Sequence, residues 1–409
     1  MSECRHFTRR QWLAGSALTT GAISLGRAEP PAPAPRAPAA PVSIAKCPSY
    51  DQDLVAVLST MFDQVGGVTG LVRGKTVTIK LNLTGSPRTR FPGHLPGATH
   101  WVHPGVVGAC CHLLGKAGAR RIRLVESCGG RVAPLEDYLL DAGWDPKALS
   151  SSAPLVEFEN TANLGTGKRY SRLKVSTRPY IYPGFDLNHT YGDTDVFVSL
   201  SKLKNHEECG ITLTLKNSFG ITPNSIYGDS AGVDEPNEAP RAGRESVLHL
   251  GRRQPPKSAP QEVDFQSDRY EGHRLPRILV DLAGARPIDL AIIDGITSSV
   301  GGEGPWVPGS KPVTPGVLVL GKNPVSTDAV AAAVMGYDPR AQRGQGAFHV
   351  YKEKGQKAAD GRQWADNVML LAEAVGIGSA DLDRIEVRGV SIREALYDFE
   401  ARWRGQART

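Results

Sequence analysis

Cysteine is scarce in this sequence and forms no recognisable pattern. The 409 residues include 6 cysteines, none of them in a C-x-x-C arrangement. Cys4 precedes a predicted cleavage point, which leaves an odd number in the mature chain, and the neighbouring Cys110 and Cys111 are poorly placed to pair with each other. No run of cysteines matches an iron–sulfur ligand set. The sequence therefore gives no iron–sulfur motif and leaves disulfide pairing open.

Three further patterns are absent. The pair Gly129 and Gly130 is not part of a G-x-G-x-x-G sequence, which disfavours dinucleotide binding. The formal net charge of +6 is spread along the chain, and no basic stripe carries interleaved aromatic residues, so nucleic acid is not a predicted partner. The apolar run from Leu13 to Leu25 is too short and too rich in Gly, Ser and Thr to favour a stable membrane span.

The N-terminus has the order of an export signal. Arg9 and Arg10 stand before Trp12 and a mildly apolar run that ends in small residues near Ala28. This order resembles the twin-arginine consensus, and it predicts a signal over 1–28 that the twin-arginine translocase reads, with a periplasmic or otherwise extracytoplasmic destination. A basic amphipathic helix is the alternative. This route carries folded proteins, often with an inserted cofactor, so the signal favours a bound cofactor.

The body of the chain predicts an α/β fold. Residues 75–83 form a β-rich run, 103–119 a helix with Pro104 in its first turn, and 121–130 a second strand, which together make a βαβ unit and favour a parallel sheet. We therefore expect a mixed, largely parallel sheet with flanking helices. The chain could divide into two such α/β lobes. The predicted divisions are a Pro/Ala-rich linker at 29–42, an N-terminal lobe at 43–227, an irregular insert or lid at 228–276 and a C-terminal lobe at 277–409.

The segment 194–204 predicts a strand whose exit loop faces the usual ligand crevice of open α/β sheets. Lys202 and Lys204 share one face of this strand, so their ammonium groups either face water or bind an anion. In the following residues, apolar Ile211, Leu213 and Leu215 alternate with threonines, as in a core strand. Lys216 ends this alternation and could be a base, a covalent anchor or a lysine that extends from the core to solvent.

Other polar residues follow predicted strands. Asn82 and Ser86 could bind an anion, and Glu126 could be a general base or a metal ligand. Asp294 and Glu303, which follow another apolar strand, could form a metal site with His206, although the Asp-Gly turn is also an ordinary hairpin signal. His100 and His103 favour a helix-capping or surface role over a shared metal, and Asp328 favours stabilisation of its own helix N-terminus.

Five motifs, spread from about residue 70 to 390, resemble the DUF362 family, a domain of unknown function. They are "IKLNLTGS", "HPGVVGACCHLLGKAGARRIRLVES", "SLSKLKNHEECGITLTLKNSFGITP", "DLAIIDGITSSVGGEGP" and "GVLVLGKNPVSTDAVAAAVMGYDP". The resemblance implies no established reaction. Some members carry a ferredoxin-like iron–sulfur segment, whose cysteines this chain lacks.

A weaker resemblance is to the nickel-pincer lactate racemase family. The spacing of His206, Gly210 and Lys216 is similar to that family's core loop, in which the histidine ligates nickel and the lysine anchors an organic cofactor. The residues before Lys216 depart from that family's pattern.

These observations lead to two hypotheses of function. In the first, His206, Lys216 and Glu126 are catalytic, and Asn82, Ser86, Lys202, Lys204 and Asn217 bind a small anionic substrate, with or without a metal at His206, Asp294 and Glu303. In the second, an exported protein without enzymatic activity uses the same pocket to bind a ligand or handle a cofactor.

Overall fold

A computed structural model describes residues 36–128, 133–162, 169–239, 243–349 and 363–404. The predicted export signal at 1–28, the first part of the linker and the pair Gly129–Gly130 lie outside the described residues. Residues 36–41 have no helix or strand, but they contact the body, because Ser379 N donates to Pro38 O at 2.7 Å and Arg384 Nη2 donates to Ala37 O at 2.9 Å.

The described strands are β1 (Val42–Lys46), β2 (Thr76–Lys80), β3 (Arg121–Glu126), β4 (Val156–Asn160), β5 (Tyr170–Lys174), β6 (Gly184–Asn188), β7 (Val196–Lys202), β8 (Asn205–His206), β9 (Gly210–Ile211), β10 (Leu290–Gly295), β11 (Ser298–Val300), β12 (Lys311–Val313), β13 (Val317–Gly321) and β14 (Val387–Gly389).

The described α-helices are α1 (Leu54–Gln64), α2 (Thr69–Val72), α3 (Pro104–Lys116), α4 (Leu135–Asp141), α5 (Pro146–Ser150), α6 (His189–Gly192), α7 (Leu213–Asn217), α8 (Asn224–Tyr227), α9 (Glu271–Ala285), α10 (Pro324–Val334), α11 (Val368–Ala374), α12 (Ile392–Ala395) and α13 (Phe399–Arg404). Single turns of other helix types occur at Pro96–Ala98, Ser218–Ile221, Glu245–His249 and Leu382–Arg384.

Eight strands form one mixed sheet in the order β14-β1-β13-β10-β7-β2-β3-β4. Every neighbouring pair is parallel except the two pairs made by β13, which runs antiparallel to β1 and β10. The predicted largely parallel α/β fold is confirmed. Strands from both predicted lobes join this one sheet. The boundaries at 228 and 276 therefore separate segments of the sequence, but they do not separate two sheets.

Apolar residues on alternate positions of the strands build hydrophobic clusters on both faces of the sheet. Leu318 and Leu320 of β13 belong to the cluster that packs against α1 and α3, whereas Val317 and Val319 belong to the cluster that packs against α9 and α10. Burial of both faces explains why the central strands read as continuous apolar runs. Because the parallel strands run in the same direction, their carboxyl ends meet at one edge of the sheet.

Two sequence predictions need correction. Leu213–Asn217 is a helix, not the continuation of a strand, and its Thr214 is as buried as its leucines. Helix α9 begins at Glu271, inside the stretch predicted to be irregular, and it continues through Pro276.

Candidate functional site

A cavity of about 440 Å³ lies at the carboxyl edge of β2, β3 and β7. Its walls come from the loops after these strands, from α7 and from the insert. The lining residues are Lys80, Asn82, Leu83, Thr84, Gly85, Glu126, Ser127, His206, Glu207, Glu208, Thr212, Lys216, Asn217, Phe219, Gly220, Asn224, Gly243, Arg244, Glu245, His249, Glu303 and Trp306. The structure thus brings together six of the predicted site residues: Asn82, Glu126, His206, Lys216, Asn217 and Glu303.

Lys202 and Asp294 lie outside the cavity lining and form a fully buried ion pair. They are register partners on the adjacent parallel strands β7 and β10, and Lys202 Nζ lies 2.9 Å from Asp294 Oδ2. The Asp294 carboxylate also accepts from Tyr50 OH at 3.0 Å and from His103 N at 3.0 Å. These bonds occupy both side chains. The structure therefore does not support the prediction that Lys202 binds substrate. It also does not support Asp294 as a metal ligand beside His206.

Lys204 and Ser86 also lie outside the cavity lining. Lys204 is fully buried, and its Nζ donates to Thr84 Oγ1 at 3.2 Å, His100 O at 2.7 Å and Glu303 O at 3.0 Å. Burial lowers the pKa of Lys204 well below its ordinary value. Ser86 is exposed, and its hydroxyl accepts from Arg88 N at 3.3 Å. Lys204 therefore supports the loops behind the cavity, and Ser86 belongs to the surface.

Lys216 reaches the cavity from the last turn of α7. The residue is 8% exposed, and its Nζ lies 4.5 Å from the centre of the Phe219 ring. Within the described residues, this ammonium group has no hydrogen-bond acceptor and no carboxylate within ion-pair distance. An ammonium group that opens onto a cavity and has no anionic partner favours a negatively charged ligand at this position.

His206 lines the cavity as a hydrogen-bond donor. Its Nδ1 accepts from Glu208 N at 3.2 Å, which places the proton of the neutral imidazole on Nε2. Nε2 has no partner within the described residues. Burial, aided by the nearby Lys216 charge, lowers the pKa of His206 to about 3. At neutral pH the ring is therefore uncharged and can donate to a ligand from Nε2, but it is too weakly basic to act as an efficient general base.

Glu126 is joined to Lys80, a residue that sequence reasoning did not select. Lys80 Nζ lies 2.6 Å from Glu126 Oε1, and the carboxylate also accepts from Leu83 N and Ser127 N, each at 2.9 Å. Burial lowers the pKa of Lys80, while the Glu126 carboxylate raises it. A Cβ on Gly220 would lie 2.5 Å from Lys80 Nζ, so glycine permits this pair to sit against the chain. Glu126 organises the strand ends more than it offers a free base.

Two amide side chains connect the strand ends below the cavity. Asn217 Oδ1 accepts from Asn82 Nδ2 at 3.0 Å and from Lys80 Nζ at 3.3 Å, while Asn217 Nδ2 donates to Ser199 Oγ at 3.0 Å. Asn217 thereby bridges β2 and β7. Both amides line the cavity, but most of their hydrogen-bonding capacity is used within the protein.

The donor set does not fit a resident metal ion. Within the described part of the chain, no group of three or more His, Cys, Asp and Glu side chains is arranged to hold one. Glu303 Oε2 accepts from Glu207 N at 2.9 Å, and its Oε1 accepts from Trp306 Nε1 at 3.0 Å. Ligation through His206 Nε2 would move the ring proton to Nδ1, against the N–H of Glu208. The spacing of His206, Gly210 and Lys216 thus does not bring with it a nickel-binding arrangement.

The insert forms one wall of the cavity. Arg244 donates to Phe219 O at 3.1 Å, to Thr222 Oγ1 at 3.0 Å and to Ser127 O at 2.8 Å, all of which are uncharged acceptors. His249 Nδ1 lies 3.2 Å from Glu208 Oε2. The composition of the insert gave no periodic signal for either residue. Lys80 could have been selected from the sequence, because it is a lysine within an apolar strand and lies two residues before Asn82.

Two predictions about residues near the site have clear outcomes. His103 caps α3, as expected, and its Nδ1 accepts from Gly105 N at 3.1 Å. Asp328 lies in α10, but it accepts from Thr214 N and Leu215 N, each at 2.8 Å. The expectation that it stabilises its own helix N-terminus was wrong, because Asn323 caps α10.

This arrangement defines an α/β protein with a polar cavity at the carboxyl edge of a largely parallel sheet. The family model "Domain of unknown function (DUF362)" matches residues 77–333, and the chain belongs to this family. The predicted family membership is confirmed.

Similar proteins cover different parts of the chain. The "Thylakoid-associated protein sll1697" of Synechocystis sp. is 24% identical over 303 residues, which are 73% of this chain and 75% of that protein. A crystal structure of a Thermotoga maritima protein is 16% identical over 42% of this chain, with a TM-score of 0.27. The lactate racemase apoprotein of Thermoanaerobacterium thermosaccharolyticum is 12% identical over 62% of this chain, with a TM-score of 0.32. The chain spans 38% and 50% of the lengths of these two structures.

None of the helices in the described ranges is long and apolar enough to cross a membrane.

Proposed function

We propose that this protein binds a small organic anion in the cavity and that Lys216 supplies the principal charge. The observation that carries the proposal is the buried Lys216 ammonium group, which faces the cavity and has no acceptor within the described residues. A bound carboxylate would provide the hydrogen bonds and the counter-charge that the protein does not provide. Binding energy would come from this unmet interaction.

Two groups near Lys216 can donate hydrogen bonds to a ligand. His206 presents Nε2–H, and Arg244 reaches only uncharged oxygens within the described residues. By contrast, the carboxylates of Glu126 and Glu303 already accept hydrogen bonds from the protein. The donors of His206 and Arg244, together with the Lys216 charge, favour an anion over a cation as the ligand.

The size of the cavity favours an organic ligand. A volume of about 440 Å³ is within the range of sites for small organic molecules and cofactors, and it exceeds the need of a simple inorganic ion. Phe219 and Trp306 add apolar surface to the polar walls. A mono- or dicarboxylate with a short carbon skeleton satisfies both the charge and the volume.

If the protein is an enzyme, Lys216 is the group best placed to act. Its amine could transfer a proton or form an imine with a carbonyl substrate, whereas His206 and Glu126 would bind and orient. The alternative is a ligand-binding or cofactor-handling protein without catalysis. The hydrogen bonds that Glu126 and Glu303 accept favour binding, because these two carboxylates are engaged within the protein.

We also propose that the protein works outside the cytoplasm after twin-arginine export. The pair Arg9–Arg10 followed by Trp12 supports this route. A relative is named for its association with thylakoids.

The binding proposal is tested by thermal unfolding with matched ligands. Succinate and glutarate are compared with succinamide and glutaramide, which have similar shapes but no charge. We expect at least one dicarboxylate to raise the unfolding temperature of the wild-type protein more than its amide does, because binding to the native state alone stabilises it. Lys216→Met should abolish most of this difference.

The control variant is Lys311→Met, which removes an exposed lysine and should leave the difference unchanged. Equal effects of acid and amide on the wild-type protein would contradict the proposal. So would a carboxylate effect that survives in Lys216→Met. Borohydride trapping of Lys216 with pyruvate would separate the enzymatic alternative from simple binding.

A further inference from the structure

Helix α7, which carries Lys216, is held at its N-terminus by a residue from another part of the chain. Asp328 Oδ1 accepts from Thr214 N and its Oδ2 accepts from Leu215 N, both at 2.8 Å. Asp328 is 1% exposed and lies within α10, 114 residues further along the chain than Thr214. The carboxylate thus bonds two N–H groups that have no acceptor within so short a helix.

Helix α7 needs this external support. It has five residues, and Thr212, which precedes it, makes no side-chain cap hydrogen bond. Its first residue, Leu213, has a φ of +43°, and within the described residues it is the only non-glycine residue with a positive φ. A helix of this length is unstable on its own, and its strained start adds to the cost. The bonds from Asp328 offset that cost.

The consequence for the site follows from the short distance along the helix. Lys216 is the residue after Leu215, and its backbone N donates to Thr212 O at 3.2 Å. Asn217, which bridges β2 and β7, comes next. The same turn therefore fixes the direction of the Lys216 side chain and the bridge between the strands.

We propose that Asp328 is a positioning residue, which fixes Lys216 in the cavity by capping α7 although it does not itself line the cavity. An effect of Asp328 on ligand binding rests on the proposed anion site. Its effect on the position of Lys216 does not, because that effect is present in the protein without any ligand.

The ionisation of Asp328 offers an independent readout. Burial raises the pKa of its carboxyl to about 7, and the N–H groups of Leu215 and Thr214 lower it in part. No charged side chain of the described residues contributes to this shift. Opening of α7 would let water reach Asp328 and return its pKa towards the ordinary value, so opening releases a proton and should become easier as the pH rises through the pKa.

The first test measures the reactivity of Lys216 without a ligand. The full chain is treated with limiting acetic anhydride, and peptide mass spectrometry gives the acetylation rate of Lys216 relative to that of exposed Lys311. We expect Asp328→Asn to raise this ratio by about fivefold, as the lost cap lets the helix open. Asp328→Glu keeps a carboxylate and should restore part of the wild-type ratio.

Ser326→Ala is the matched control. Ser326 is a buried polar residue of the same helix, but its hydroxyl donates to Ser379 O and has no bond to α7. It should leave the ratio at the wild-type value even if it lowers the unfolding temperature. An unchanged ratio in Asp328→Asn would overturn the proposal and reduce Asp328 to a structural residue.

The second test needs no variant and covers the case in which Asp328→Asn does not fold. Hydrogen exchange of the wild-type peptide covering α7 is compared at about pH 6 and about pH 8, on either side of the Asp328 pKa, after correction for the intrinsic rate. Protection should be weaker at the higher pH, while α3 should show no such loss. Equal protection at both pH values would count against the proposal, whatever the outcome of the dicarboxylate experiment.

Discussion

His206 is a buried imidazole that donates a hydrogen bond rather than accepting a proton. The N–H of Glu208 occupies Nδ1, and burial with the Lys216 charge lowers the pKa of His206 to about 3. A ring of this kind can orient an anion at neutral pH without adding charge. It also makes the native protein sensitive to acid, because the unfolded chain binds a proton that the native chain does not.

We predict that His206→Gln reduces the acid sensitivity of the fold. The native pKa is lowered to about 3 from 6.5, so between these values the unfolded state binds more protons and stability is lost as the pH falls. Between about pH 7.5 and about pH 4.5 this loss should be smaller by about 2 kcal/mol in the variant than in the wild type. Urea unfolding at the two pH values measures it.

Exposed His94 provides the control. His94→Gln should retain the wild-type dependence on pH. A loss of stability in His206→Gln equal to that of the wild type over the same range would show that the imidazole is not held neutral.

At the scale of elements, the Lys80–Glu126 pair joins the ends of the neighbouring strands β2 and β3. Both side chains are almost completely buried, at 2% and 6% exposure. The pair lies between the cavity and the core, so it governs the spacing of the strand ends that carry the site. A charge left alone in this position would be strongly destabilising.

We predict non-additive losses in a double-mutant cycle. Lys80→Met and Glu126→Gln should each lower the free energy of unfolding by about 3 kcal/mol, because each leaves a buried charge without its partner. The double variant should lose at least about 1 kcal/mol less than the sum of the single losses. Urea denaturation of the four proteins gives the coupling energy.

The exposed pair of Lys257 and Asp234, with 75% and 73% exposure, is the comparison. Lys257→Met should cost no more than about 1 kcal/mol. Additive losses for Lys80 and Glu126 would mean that the two charges do not compensate each other.

Which elements could be predicted from sequence depends on how local their causes are. The βαβ unit was predictable because β2, α3 and β3 each have an apolar pattern of their own, and Asn82 and Glu126 follow from its strand ends. The helical state of Leu213–Asn217 was not predictable from its alternating pattern, since the acceptor that caps it, Asp328, is distant in sequence. Lys202 and Asp294 were misplaced for a related reason: their pairing depends on β7 lying beside β10.

At the scale of the whole molecule, distant segments complete the site. Arg244 and His249 come from the insert, Glu303 lies after β11, and Lys80 is the last residue of β2. No single stretch of sequence contains enough of these residues to define the cavity. Arg244 bonds residues outside the insert, so no pattern within the insert could predict its position.

We predict that replacing both Arg9 and Arg10 with Lys blocks export. The twin-arginine pair is read as a signal, and lysines keep the charge but not the recognised side chains. Cell fractionation with mass measurement should find the variant uncleaved in the cytoplasm. Arg27→Lys, outside the pair, should be exported normally. Export of the double variant at the wild-type level would contradict the twin-arginine assignment.

The proposed function depends on an anion that binds at Lys216. A crystal structure of the wild-type protein soaked with succinate would show this anion directly. We expect a carboxylate within hydrogen-bond distance of Lys216 Nζ, about 3 Å, with His206 Nε2 or Arg244 as a further donor. A cavity without the anion, in which Lys216 Nζ bonds a carboxylate of the protein, would contradict it.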